Sequence, residues 1–111
     1  MTLLDKFSVI YSFKILDGRK DDFINCWAEL SKLIYESEGS YGSRLHRVSD
    51  NLFIAYALWP DKETYLYSSN NLSEAATKYR QQMLDCCSEI KVEYELSVVK
   101  DLLKNESHNK S

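Results

Sequence analysis

The chain carries one interior histidine, His46, which follows Arg44 on an alternating stretch that closes at Trp59. Histidine gains and loses a proton near neutral pH, so His46 can serve as an acid or a base. A guanidinium two positions away on a strand projects to the same face, which places Arg44 where it can steady an anion formed beside His46. An indole such as Trp59 offers a flat apolar surface to stack on a ring. Tyr11, Tyr56, Tyr65 and Tyr67 add hydroxyl groups or apolar walls. Each residue also has a structural use: a hydrogen-bonded strand histidine, Arg44 and Arg47 as ion-pair partners of Glu93 or Glu95, a tryptophan core anchor, and tyrosines packed in a core or interface. The sequence shows no carboxylate dyad, phosphate-binding loop or nucleophile motif. Cys26, Cys86 and Cys87 are odd in number and lack metal-ligand spacing, so they are expected to be buried thiols, and no metal site is expected.

The elements that must position these groups are legible from periodicity. Phe7 to Lys14 alternates Phe7, Val9, Tyr11 and Phe13 with smaller or polar residues, which predicts a strand. Leu16-Asp17-Gly18 turns the chain. From Arg19 to about Ser37 the apolar residues Phe23, Cys26, Trp27, Leu30, Leu33 and Ile34 follow helical spacing, with Asp21 and Asp22 at the positive end of the helix dipole and Gly39 as its closing cap. Tyr41 to Trp59 reads as a hairpin turning at Asp50-Asn51, in which Ser49 faces Leu52. That pairing puts Arg44, His46, Val48, Phe53, Ala55, Ala57 and Trp59 on one face and Leu45, Arg47, Ile54, Tyr56 and Leu58 on the other. A short helical segment from Lys62 to Ser69 and a polar loop precede a second helix from about Ser73 to Glu89, whose stripe is Ala76, Tyr79, Met83, Cys86, Cys87 and Ile90. Lys91 to Lys100 is the last strand.

These elements give the order β-α-β-β-α-β, an α+β, ferredoxin-like fold with an antiparallel four-stranded sheet carrying both helices on one face. The chain of 111 residues, 44% hydrophobic and 28% charged, with one proline and three glycines, has room for one core. A single domain over residues 1–104 and a flexible tail over 105–111 are expected. The net charge of −3 comes without a Lys/Arg cluster, which argues against nucleic acid. With no apolar run of membrane-span length and no signal-like start, a cytoplasmic location is expected and no membrane partner. The uncovered sheet face would be apolar, and a second copy of the chain is the partner that fits it, so a homodimer is expected.

Three stretches carry a family resemblance. They are Gly18-Arg19-Lys20-Asp21-Asp22-Phe23 at the first helix, Gly39-Ser40-Tyr41-Gly42-Ser43 before the second strand, and Trp59-Pro60-Asp61-Lys62-Glu63 closing the third. Over roughly Phe7 to Val99 the chain resembles the antibiotic biosynthesis monooxygenase domain family. The resemblance implies a dimeric α/β barrel in which two ferredoxin-like sheets pack face to face. It also implies a cofactor-independent monooxygenase acting on a phenolic, quinol-like or polycyclic aromatic substrate that itself gives the electron to dioxygen once deprotonated. His46 and Arg44 are then the catalytic candidates, and Trp59, Tyr11, Tyr56, Tyr65 and Tyr67 the substrate-binding ones, with no cofactor.

Other members of that family degrade haem, using an asparagine on the first strand, a second tryptophan after the third strand and a histidine ligand beyond it. Here the first strand has Ser8 and Ser12, the segment Tyr65 to Ser69 has tyrosines and serines, and the next histidine is His108. The sequence therefore argues against haem. The alternative is a non-catalytic homodimer of the same fold that binds a small aromatic or hydrophobic ligand or serves as an interaction module.

Overall fold

The computed structural model describes residues 6–68, 70 and 72–108. The elements are β1 (Phe7–Ile15), α1 (Lys20–Ser37), β2 (Gly42–Ser49), β3 (Leu52–Trp59), α2 (Lys62–Leu66), α3 (Glu74–Asp85) and β4 (Cys87–Ser97). The strands form one antiparallel sheet in the order β2-β3-β1-β4. This is the expected β-α-β-β-α-β order, with α2 as a short insertion. Among the described residues no helix is long and apolar enough to cross a membrane.

Alternation decides what each strand buries. On β3, Phe53, Ala55, Ala57 and Trp59 are buried while Leu52, Ile54, Tyr56 and Leu58 between them are half-buried. The buried set faces the helices. Phe13, Ile15, Phe53 and Ala55 share one core with Phe23, Cys26 and Leu30 of α1 and Ala76 and Met83 of α3. Phe23 is its centre, with ring centroids 5.0 Å from Phe13 and 5.5 Å from Phe53. Its burial contributes about 1.5–3 kcal/mol.

Both ends of α1 use a glycine in the left-handed region, Gly18 at φ 78° and Gly39 at φ 80°. At Gly39 the constraint is double, because a Cβ there would lie 3.2 Å from Thr64 Cγ2. The missing side chain lets the end of α1 sit against α2. Asp61 starts α2 by accepting a hydrogen bond from the Thr64 backbone N–H at 2.7 Å, and the same bond holds its carboxyl below the usual carboxylate range. Ser73 starts α3 in the same way, its Oγ accepting from the Ala76 N–H at 3.1 Å.

The structure corrects two parts of the expected layout. The predicted helix to Glu89 stops at Asp85, and Cys87 to Ile90 belong to β4. Cys86, Cys87 and Ile90 are apolar at a spacing that suits a helix face, but Cys86 caps α3 while Cys87 and Ile90 lie in extended backbone, and all three pack on the same core. Cys26 and Cys86 are buried as expected; desolvation raises the thiol of Cys26, and that of half-buried Cys87 to about 11. The predicted last strand ends at Ser97 rather than Lys100. Residues 105–108 of the expected tail are exposed; residues 109–111, and Ser69 at the end of the expected short helix, lie outside the described residues.

The second correction is one of register. Ser49 does face Leu52 across the Asp50-Asn51 turn, but the ladder then shifts by one residue, so that Arg47 faces Phe53 and Leu45 faces Ala55. Val48 is left out of the pairing as a bulge. Because side chains alternate with period two, that one residue moves Leu45 to the helix side and sends Arg44 and His46 to the open face opposite Tyr56 and Ile54. A second shift, between Ile10 and Tyr11, leaves Glu93 unpaired on β4. There its carboxylate accepts a hydrogen bond from Ser12 Oγ at 2.5 Å. Arg47 pairs with Asp50 at 3.6 Å instead of with β4, which lies at the other end of the sheet.

Deleting Val48 tests this register. The remaining residues then pair regularly from the turn with Arg47 still opposite Phe53, so stability is expected to change by less than about 1 kcal/mol in denaturant unfolding. If Val48 were instead an in-register partner of Phe53, its loss would reverse the faces of β2 and cost several times that.

Candidate functional site

A cavity of about 230 Å³ lies between the sheet and the helices. Its floor is made of Tyr11 and Phe13 from β1, Ala55, Ala57 and Trp59 from β3, Ser43 from β2 and Ile90 from β4. Trp27, Leu30, Ser31 and Ile34 of α1 roof it at helical spacing, and Arg80, Met83 and Leu84 of α3 close another side. Ala55 and Ala57 create the space, since two small residues on one strand face leave unfilled the volume that larger side chains occupy elsewhere on the sheet. Protein interiors are close-packed and rarely leave gaps much larger than a water molecule. A gap of this size in a domain this small has the character of a binding site.

The lining is mostly apolar, with a few polar groups at defined places. Trp59 is 4% exposed, and its Nε1–H is buried with no hydrogen-bond partner among the described residues. A buried donor left unpaired costs about 1–3 kcal/mol, and native proteins seldom keep one without a use. The Tyr65 ring meets the indole edge-on at 5.7 Å, while its other contact is Phe7 at 5.6 Å. The Tyr65 hydroxyl donates to Glu95 Oε2 at 3.1 Å and accepts from the Tyr11 hydroxyl. The chain of donors thus runs from Tyr11 in the cavity through Tyr65 to a carboxylate on β4. Desolvation first, then the neighbouring Tyr65, raises the pKa of Tyr11 far above the ordinary phenol value. Desolvation and the bond to Glu95 raise that of Tyr65 as well. Both hydroxyls therefore stay protonated at any physiological pH. Having given its own proton to Tyr65, the Tyr11 oxygen keeps lone pairs with which to accept a hydrogen bond from a ligand. Among the described residues no three His, Cys, Asp or Glu side chains come together as metal ligands would.

Solved structures share this architecture. The cofactor-independent oxygenase SnoaB from Streptomyces nogalater superposes with a TM-score of 0.71 at 14% identity, over 90% of this chain and 99% of that one. This chain has the antibiotic biosynthesis monooxygenase fold. A provisionally assigned antibiotic biosynthesis monooxygenase from Bordetella bronchiseptica gives 0.72 at 20% identity, over 86% and 99% of the two chains. A protein of unknown function from Nitrosomonas europaea gives 0.72 at 11% identity, over 95% and 100%. No protein-family model and no curated protein matches the sequence. Identities this low establish the shape, and the chemistry has to be argued from the site.

In this antibiotic biosynthesis monooxygenase fold the sequence-derived candidates separate. Tyr11 and Trp59 line the cavity, and Tyr65 stands directly behind both. Tyr56 lies on the open face, where its hydroxyl accepts a hydrogen bond from Ser8 Oγ at 3.1 Å. Tyr67 is 63% exposed beyond α2. Arg44 and His46 are exposed on β2, turned away from the cavity by the Val48 bulge. Alanine at either position is expected to change turnover of a cavity-bound substrate by less than about twofold, as for surface positions generally. Steady-state kinetics of Arg44→Ala and His46→Ala check this, and a loss of tenfold or more would return them to the site.

Sequence reasoning missed Arg80, Glu95 and the two alanines. For Arg80 a signal was present. It stands four residues after Ala76 and three before Met83, so it falls on the buried stripe of α3, where a cation is out of place. Glu95 and the alanines carried no such mark, since their meaning depends on which residues of other strands they meet.

Proposed function

We propose that the cavity is the active site of a cofactor-independent oxygenase acting on a phenolic or quinol-like aromatic substrate. The observation that carries this is an apolar cavity lined by Trp59, whose buried Nε1–H has no hydrogen-bond partner among the described residues, and by Tyr11, where a hydrogen-bonded route to a carboxylate begins. Such a reaction needs a dry site, an acceptor for the phenolic proton and a donor for the oxyanion that forms. Most of the lining is apolar. The Tyr11 oxygen accepts the substrate hydroxyl proton as Tyr11 passes its own to Tyr65 and Tyr65 passes its own to Glu95, so both tyrosines end neutral. The indole N–H of Trp59 stabilises the phenolate left behind.

The phenolate, as its carbanion form at an open ring position, transfers one electron to dioxygen. The resulting radical pair combines to a peroxide, which loses water. For a simple phenol the balance is one phenol and one dioxygen giving one quinone and one water.

The test is oxygen consumption by the full chain with a panel of hydroquinones, naphthols and anthrones, each run beside an anaerobic binding measurement. Turnover above the buffer rate with one quinone formed per dioxygen supports the reading. Binding without oxygen consumption would make the protein a ligand-binding module of the same fold, and neither binding nor turnover would remove the cavity from consideration.

A further inference from the structure

We infer that the cavity selects an aromatic compound of one or two rings carrying an anionic substituent, and that Arg80 is the residue that reads the charge. The inference rests on the cavity being the substrate site and goes further by naming the size and charge of what enters.

Size follows from volume. A cavity of about 150 Å³ holds a benzene molecule. At about 230 Å³ this one takes a substituted single ring or two fused rings, and three or four fused rings exceed it.

Charge follows from Arg80. It lines the cavity from α3, on the same stripe as buried Ala76 and Met83, and is itself exposed at the rim. Among the described residues no carboxylate pairs with it and no hydrogen bond holds it, although Arg19, Arg47 and five of the lysines find acidic partners. A guanidinium offers a rigid fork that matches a carboxylate's two oxygens, and it stays charged at every relevant pH. The two acidic groups nearest the cavity are already engaged. Glu38, a buried part of the lining, caps the end of α1 and accepts a hydrogen bond from Ser37 Oγ at 3.4 Å, and Glu95 is engaged by Tyr65. A substrate that sets its phenol between Tyr11 and Trp59 can direct a carboxylate to Arg80 at the rim. Arg80 and Tyr11 line the same cavity, so one small molecule can reach both.

The experiment is isothermal titration of the full chain with 2-naphthol and with 3-hydroxy-2-naphthoate at one pH and ionic strength, with 1,8-dihydroxyanthrone as the three-ring probe. The naphthoate is expected to bind about fivefold to tenfold more tightly than the naphthol, since the ion pair is partly solvated. Arg80→Gln is expected to bring the naphthoate down to the affinity of 2-naphthol, while Arg80→Lys keeps part of the preference. The anthrone is expected to bind at least about tenfold more weakly than 2-naphthol. Equal binding of the two naphthalenes, or a preference that survives Arg80→Gln, overturns the charge assignment and leaves the cavity reading intact. Anthrone binding as tight as 2-naphthol overturns the size assignment. If neither naphthalene binds, the cavity is not the site and this inference falls with it.

Discussion

Replacing Trp59 with phenylalanine is expected to lower kcat on a phenolic substrate by about 100-fold to 1,000-fold, the usual cost of removing one preorganised donor to a developing oxyanion. The ring remains, so stacking and most of the apolar lining survive, and KM should move far less than kcat. What disappears is the buried N–H, which has no partner among the described residues. That gives the substitution a second readout. Trp59 packs with Phe7, Val9 and Ala57, so a smaller ring costs some apolar contact. Against that loss stands the relief of an unsatisfied donor worth about 1–3 kcal/mol. The two nearly cancel, and the variant is expected to unfold within about 1.5 kcal/mol of the parent. A purely structural tryptophan would behave in the opposite way, losing stability while turnover held. Activity within threefold of the parent would show that the indole N–H does not meet the reacting oxygen.

That contrast also shows what could be read from the chain before its fold was known. The strand from Phe7 and the helix from Lys20 were legible because each repeats one physical pattern over many residues, period two on one and the i, i+3, i+4 stripe on the other. Tyr11 and Trp59 followed from those patterns, since both stand on the buried parity of their strands. Arg44 and His46 were placed by the same logic and landed on the wrong face. A correct turn at Asp50-Asn51 sets the first pair, Ser49 with Leu52, but one unpaired residue at Val48 reverses everything upstream of it. Nothing in the local composition marks Val48, because a valine suits a bulge position exposed to solvent as well as it suits a paired one. The bulge wins through the faces it creates: it buries Leu45 against Ala55 and leaves Arg44 and His46 in water, whereas regular pairing would bury a guanidinium and an imidazole and expose a leucine. Arg80 was hidden for a different reason. Its place on the stripe of α3 was visible, yet its meaning depends on Tyr11 and Trp59, far away in sequence and brought near only by the packing of α3 on the sheet.

Enlarging Ala55 to leucine should separate stability from activity most widely of all. Ala55 is 1% exposed, faces Tyr11 on one side and Leu45 on the other, and forms part of the cavity floor. In a well-packed core three added carbons force strain of about 1–3 kcal/mol. Here they project into about 230 Å³ of unfilled space lined by apolar side chains. The expected result is a gain of about 0.5–2 kcal/mol in unfolding free energy, as for other cavity-filling substitutions. Ligand binding and oxygen consumption are expected to fall together by more than about 100-fold, because the added side chain stands where an aromatic ring must lie against Tyr11. Loss of both stability and activity would mean that the floor is already packed and the space lies elsewhere. Retention of activity in a stabilised variant would be more damaging, since it would place the chemistry outside the cavity. An alanine that weakens the fold and serves only to keep a space open is hard to account for unless something is bound there, and this substitution measures both sides of that argument in one protein.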